Sequence, residues 1–359
     1  MGFGSFGVGF RGAGVPGHEV FENLGQDVSE VGQSRQRAGQ PLLEAGLTPV
    51  ASLTDGQRLL LLREGFHGHP PTMVEPYPRY LTLQRLRGAA TDDAATLPPQ
   101  DIVFVALKAQ TLPVAAAAIG KLAKPDGYVV FLLNGIPWWF NHALPGPAGN
   151  KGTLPLLDPD GALWREVRPE RVIGSVVYSP NEVVAPGKIV NTNQNRWVFG
   201  EPDLTSSARL KTVVDLVRAT GIETEVSPDI RRELFKKLAN NASNNTLCSL
   251  TRLDSAGVAN DDGIVNLSMG IIGETLAVAA KLGWDMSKEV IPQQVATRAR
   301  GKVGAKPSTL QDVLAGKSLE IDGLLGQTQV FARELGVPTP VIDVCVPLLC
   351  GLDASLRAK

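Results

Sequence analysis

From residue 101 onward the apolar positions fall into two rhythms. "DIVFVAL" (101–107) is a short unbroken apolar run, the pattern of a strand covered on both faces, and "YVVFLLNG" (128–135) repeats it. Between them "TLPVAAAAIGKLAKPDG" predicts a helix closed by Gly127. Strand, helix, strand is the crossover unit of a parallel sheet. "RVIGSVVYSP", "GKIVNTN" and "RWVFGE" predict further short strands, and the Pro-Gly of "EVVAPGK" predicts a turn, so an antiparallel extension is expected. "ARLKTVVDLVRATG" (208–221) sets Leu210, Val213, Val214 and Val217 on one helical face and stops at Gly221, with a short strand, "IETEV", after it.

After Pro228 only the helical rhythm remains, with helices predicted at 229–247, 261–283 and 308–335 and a last one beyond Pro340. The domain boundary therefore falls near Asp229, giving 1–229 and 230–359. Residues 1–88 are polar or Pro-rich, as in "SEVGQSRQRAGQ" and "GFHGHPPTMVEPYPRY", with only "RLLLLREG" strongly apolar between them.

The totals narrow the function classes. The 359 residues are 43% hydrophobic, enough for a real core across two domains. Lys+Arg 35 against Asp+Glu 36 leaves a net charge of −1, so neither nucleic acid nor an anionic membrane is an expected partner, and an anionic ligand must be held by local groups. Cys248, Cys345 and Cys350 form no C-x-x-C pair and leave one thiol over under any bridging, which points to packing in a reducing compartment. No metal site is expected from His67 and His69 in a Pro/Gly-rich stretch. No leader-like start and no bilayer-length apolar run is read, so the cytoplasm is the expected location.

"GVGFRGAGVPG" (7–17) holds the G-x-G-x-x-G spacing twice, at Gly7, Gly9 and Gly12 and at Gly12, Gly14 and Gly17. A phosphate loop needs a buried strand running into the first glycine and a helix leaving the last. "MGFGSF" is too short and glycine-rich for that strand, and Pro16 removes an N–H, whereas Val20, Leu24, Val28 and Val31 do recur at helical spacing. The stretch is either a phosphate loop or simply a glycine-rich start.

"DIRRELFKKLANNASNNTL" is the most informative segment. At ~100° per residue Ile230, Leu234, Phe235, Leu238 and Ala242 define an apolar face, with Arg232, Lys236 and Ser243 on the other side. Lys237, Asn241 and Asn245 form an i, i+4, i+8 stripe along the edge of the apolar face. They either reach water and neighbouring helices or line a cleft, where a cation and two amides are equipped to hold a carboxylate and polarise a carbonyl. In "SLEIDGLLGQTQVF" Glu320 likewise edges an apolar face with Leu324, Thr328 and Phe331, while Asp322 points away; by itself Glu320 reads as a structural ion pair or as a working carboxylate.

In this order, "DIVFVALKAQ", "FLLNGIPWWF", "RVIGSVVYSPNEVVAPGKI", "FKKLANNASNNTLCSLT", "KPSTLQDVLAGKSLEIDGLLG" and "LGVPTPVIDVC" resemble the ketopantoate reductase (2-dehydropantoate 2-reductase) family. The resemblance implies an α/β Rossmann-type N-terminal domain, 1–229, and an all-α C-terminal domain, 230–359, with helices like those of 6-phosphogluconate dehydrogenase and the active site between the two. It implies NADPH-dependent reduction of a small-molecule 2-oxo acid to the 2-hydroxy acid, a step of pantothenate biosynthesis, with a homodimer as the expected assembly. By matching motif, Lys237 is the implied general acid and Glu320 orients substrate and lysine. Asn241, Asn245, Ser308 and Asn134 hold substrate, while Gly12, Gly14, Gly17, Lys108 and Asn134 border the cofactor. Trp138 and Trp139 mark a divergent branch and either reshape the pocket or pack in the core. The family's opening strand is not read here, nor is its second strand ending in a basic residue, since Arg35, Arg37 and Arg63 sit in unconvincing positions. A non-catalytic relative that binds a metabolite with a disabled cofactor site is the alternative.

Overall fold

The structure is a computed structural model that describes residues 5–11, 58–64, 73–76, 89–91, 93–144, 152–185, 188–191 and 194–358. Its centre is an eight-stranded sheet in the order β11-β10-β7-β6-β5-β2-β1-β4. The strands are β1 (Ser5–Arg11), β2 (Arg58–Glu64), β4 (Ala89–Thr91), β5 (Gln100–Ala106), β6 (Ala123–Phe131), β7 (Val172–Tyr178), β10 (Arg196–Gly200) and β11 (Glu223–Val226). β2, β5, β6 and β7 run parallel, so their carboxyl ends share one edge. β10 adds antiparallel to β7, which is the expected extension. β8 (Asn181–Ala185) and β9 (Lys188–Asn191) pair antiparallel but leave the main sheet, joining β3 (Met73–Pro76) in a second sheet of three.

The unbroken apolar run of β5 reflects cover on both faces. Val103 and Val105 pack toward α1 (Leu112–Leu122), with Leu112, Ala116 and Ile119. Ile102 and Phe104 face the opposite layer, where α2 (Ala208–Arg218) contributes Leu210, Val213 and Val217. Alternate residues of one strand thus enter two cores, and neither face is left polar.

Three expectations change at this level. The helix before β6 ends at Leu122, not at Gly127, because Pro125 cannot supply the N–H a further turn needs and the chain is already extended at Ala123. An N-terminal strand does exist: β1 spans Gly7 and Gly9 and pairs antiparallel with both β2 and β4, so these two glycines of the first copy lie in a ladder. Its sequence signal is the alternation of Phe6, Val8 and Phe10, masked by the glycines between them. The place beside β5 is taken by β2, whose leucines make the buried-strand pattern. Gly12, Gly14 and Gly17, with His67 and His69, lie outside the described residues.

From Ile230 the described chain is helical: α3 (Ile230–Thr251), α4 (Ser255–Asn260), α5 (Asp262–Lys281), α6 (Pro292–Thr297), α7 (Ser308–Leu314), α8 (Gln327–Leu335) and α9 (Pro340–Arg357). The stretch expected as one helix at 308–335 is broken. α7 stops before Gly316, which adopts φ +67°, and a π-helical turn at Asp322–Gly326 leads into α8. Ser243, expected on the polar side of α3, is buried with its hydroxyl 2.5 Å from that of Ser268, because α5 covers that side as well. Asp262–Lys281 is also long and apolar enough by composition to cross a bilayer, a length the sequence reading did not find. In the fold its Val265, Ile271, Ile272 and Val278 are buried in the core.

α3 is seated on the sheet by two glycines. Gly174 of β7 and Gly200 of β10 face each other in the ladder, and a Cβ on either would come within 3.0 Å of Ile230 side-chain atoms. Asp229 caps the helix by accepting from the N–H groups of Arg231 and Arg232 at 3.1 and 3.2 Å, and accepts the Trp284 indole N–H at 2.6 Å. Arg231, fully buried, donates to the carbonyls of Phe140 (2.9 Å), Pro202 (2.5 Å) and His142. Burial pulls its guanidinium down to about 10, and it has no carboxylate salt-bridge partner among the described residues. These contacts tie the start of α3 to two loops of the sheet half, after β6 and after β10, and to Trp284 of the helical half.

Candidate active site

The carboxyl ends of the parallel strands meet the second and third turns of α3. Asn134 stands three residues past β6, Ser175 to Tyr178 close β7, and Leu234, Lys237, Leu238 and Asn241 face them across a small cavity. Ligands of open α/β sheets collect at this edge.

Lys237 is the only cation lining that cavity among the described residues. Its ammonium donates to Asn134 Oδ1 at 2.7 Å and to the Val177 carbonyl, and lies 5.6 Å from the centre of the Tyr178 ring. Although part of the side chain remains accessible, its head sits deep between the two halves. Burial lowers its pKa to about 8, and the charge of Glu320 works in the opposite direction. Lys236, one residue earlier, turns outward to Glu233 and Glu289, both at 2.9 Å. Burial would lower its pKa, but hydrogen bonds to Glu289 and Glu233 raise it. Two adjacent lysines therefore have opposite electrostatics.

Asn241 donates to the same Asn134 Oδ1 at 3.4 Å, so one carboxamide oxygen accepts from both the cation and the amide. Asn245, a turn further, is buried and makes no side-chain hydrogen bond among the described residues. Glu320 lies just before the π-helical turn and accepts the Ala109 N–H, past the end of β5, at 3.2 Å. The interlock continues at Ile136, whose N–H donates to the Gly323 carbonyl at 2.7 Å. Gly135 has φ +83°, and a Cβ there would fall 2.4 Å from that same carbonyl oxygen, so this approach of two backbones demands glycine.

The other expected site residues are placed differently. Lys108 makes an ion pair with Asp312 at 2.8 Å and donates to the Ser318 carbonyl at 3.0 Å, bridging the sheet to the helical half. Ser308 is the exposed first residue of α7 and makes no hydrogen bond to Lys237, Asn134 or Asn241. Trp138 and Trp139 are core residues: Trp138 stands edge-on to Phe131 and Trp164, and Trp139 lies 5.5 Å from the Arg231 guanidinium. Among the described residues no group of three or more His, Cys, Asp or Glu is placed to hold a metal ion.

Sequence reasoning did not single out Tyr178, the Val177 carbonyl or Asp312. The carbonyl has no sequence signal, and Tyr178 reads as one more residue of a β-rich run. Asp312 lies four residues beyond Ser308 and carries no partner signal until Lys108 is brought to it.

A largely parallel sheet whose strand ends abut a buried lysine and amides of a helical half defines a Rossmann-type domain joined to an all-helical one. The profile for the ketopantoate reductase PanE/ApbA C-terminal domain matches residues 229–352. A 2-dehydropantoate 2-reductase of Mesorhizobium japonicum is 37% identical over 268 residues, 72% of this chain and 79% of that protein. The chain belongs to the ketopantoate reductase, or 2-dehydropantoate 2-reductase, family. A crystal structure from Ralstonia solanacearum MolK2, assigned to ketopantoate reductase, superposes with a TM-score of 0.71 at 32% identity, covering 76% of this chain and 83% of that one. A D-mandelate dehydrogenase solved with NADH and anilino(oxo)acetate shares the fold at a TM-score of 0.60 and 21% identity, over 72% and 77% of the two chains.

Proposed function

We propose that this chain reduces a 2-oxo acid, ketopantoate or a related α-keto acid, to the 2-hydroxy acid with NADPH, Lys237 serving as the general acid. The observation that carries the reading is the Lys237 ammonium, lowered to about 8 by burial and aimed by Asn134 into the cavity at the strand ends. An ammonium there can polarise the keto oxygen, stabilise the charge that grows on it, and hand over its proton. Lowering the pKa makes that transfer easier at neutral pH while most of the lysine stays charged.

Glu320 keeps Lys237 cationic through its charge, and its bond to the Ala109 N–H ties that effect to the loop after β5. Asn241 and Asn245 would take the polar groups of the substrate, with Ser308 reached from α7. The dinucleotide would lie along the shared carboxyl edge of β2, β5 and β6, where Asn134, Lys108, Gly12, Gly14 and Gly17 would hold it. When bound it supplies the hydride. The boundary between the two domains is placed at 229/230, and the protein is read as a cytoplasmic homodimer.

Purified protein mixed with NADPH and a panel of 2-oxo acids including ketopantoate should oxidise the cofactor, followed by absorbance. No oxidation with any acid would overturn the reading. One observation favours a second, a metabolite binder with a disabled cofactor site: Gly7 and Gly9 are spent in the β1 ladder. A change in NADPH fluorescence on adding protein, absent with that reading, separates the two.

A further inference from the structure

Around α3 from Lys237, by about 100° at the step from Asn241 to Asn240, a separate open cleft of about 150 Å³ lies between α3, α4 and the turn after α6. Its walls include Asn240, Asn244, Ser255 and Ser268, and Arg298 and Lys302 stand along it four residues apart. No carboxylate lines it among the described residues. The floor is internally satisfied: Asn244 donates to Ser255 Oγ at 3.0 Å, and the Ser243 and Ser268 hydroxyls share their hydrogen bond.

Among the described residues three side chains along it have no partner, two of them, Arg298 and Lys302, exposed to solvent and the third, Asn240, half-buried. Arg298 and Lys302 form no ion pair among the described residues, and the Asn240 amide forms no hydrogen bond. Neighbouring cations behave otherwise, since Arg232 and Lys236 share Glu289 and Arg300 pairs with Asp262. Two uncompensated cations and a free amide along one polar cleft complement an oxyanion. The volume admits roughly five waters, enough for a phosphate or a dicarboxylate.

We infer that this cleft is an anion site for a phosphate or carboxylate group, with Arg298 and Lys302 as its charged contacts and Asn240 as a donor. The group can arrive as a free ion or as the distal acid of a larger metabolite. The inference stands apart from the proposed reductase activity, because binding is read without turnover.

The test is calorimetric titration of the full chain with inorganic phosphate. Saturable one-site binding that weakens with added NaCl is expected, and Arg298→Ala with Lys302→Ala should weaken it by at least about tenfold. Asn240→Ala should weaken it less, and Lys236→Ala should leave it unchanged. Absence of saturable binding, or binding that survives the double variant and so lies elsewhere on the chain, overturns the inference. Under turnover, phosphate competing with the 2-oxo acid identifies the site with an acid group of the substrate, and inhibition without competition identifies a separate ligand.

Discussion

The Lys237 ammonium lies 2.7 Å from the Asn134 carboxamide oxygen, a contact between residues 103 apart in the chain that joins the helical half to the end of β6. Asn241 reaches the same oxygen, so Asn134 sets the direction of the cation across the cavity. Lys237→Ala should lower kcat/KM by about 10²–10⁴-fold, the usual worth of a positioned acid, and Lys236→Ala by less than about threefold. Steady-state kinetics with the best 2-oxo acid decides this; equal losses would mean that the two lysines are not functionally separated.

The pH profile follows from the sign of the Lys237 shift. The amine is protonated below its pKa of about 8 and loses its proton above it, so a rate that depends on the cation falls as pH rises through about 8. An alkaline limb left near the ordinary lysine value would contradict Lys237 as the acid.

Glu320 raises the Lys237 pKa against the effect of burial. Glu320→Gln keeps an acceptor for the Ala109 N–H but removes the charge, so the alkaline limb should move to lower pH while the melting temperature changes little. A limb that stays in place would show that the charge of Glu320 is not felt at Lys237.

Gly135→Ala tests the interlock. A Cβ at φ +83° and 2.4 Å from the Gly323 carbonyl oxygen must displace one backbone or the other. A loss of about 2 kcal/mol or more is expected in denaturant unfolding, with turnover falling further because Asn134 is the neighbouring residue.

Arg231→Met keeps much of the volume but strands two buried carbonyls, those of Phe140 and Pro202, and the half-buried one of His142. A loss of about 3 kcal/mol or more is expected, read as a lower denaturant midpoint at constant slope. An unchanged midpoint would mean that water satisfies those carbonyls.

Much of the architecture was legible. Continuous apolar runs marked β5 and β6, and helical spacing marked α2, α3 and α5, because burial on two faces or on one stripe leaves different periods in the chain. β1 and β2 were not legible, since glycine obscured one and the other stood alone in polar surroundings. The single helix expected at 308–335 failed because periodicity is blind to a π-helical turn set by contact with a distant loop. Arg231, in "DIRRELF", carries no sequence signal of the three carbonyls it holds and is fully buried.

By itself the sequence determined the stripe of Lys237, Asn241 and Asn245 and the divergence of Lys236 from it, because a helix converts spacing directly into direction. Only the tertiary structure decided what that stripe meets. Asn134, the Val177 carbonyl and Glu320 come from separate segments, and their approach depends on Gly174, Gly200 and Gly135 leaving room for close backbone contact. The lowered pKa of Lys237 belongs to that same level, since desolvation arises from everything packed around a charge and from none of its neighbours in sequence alone.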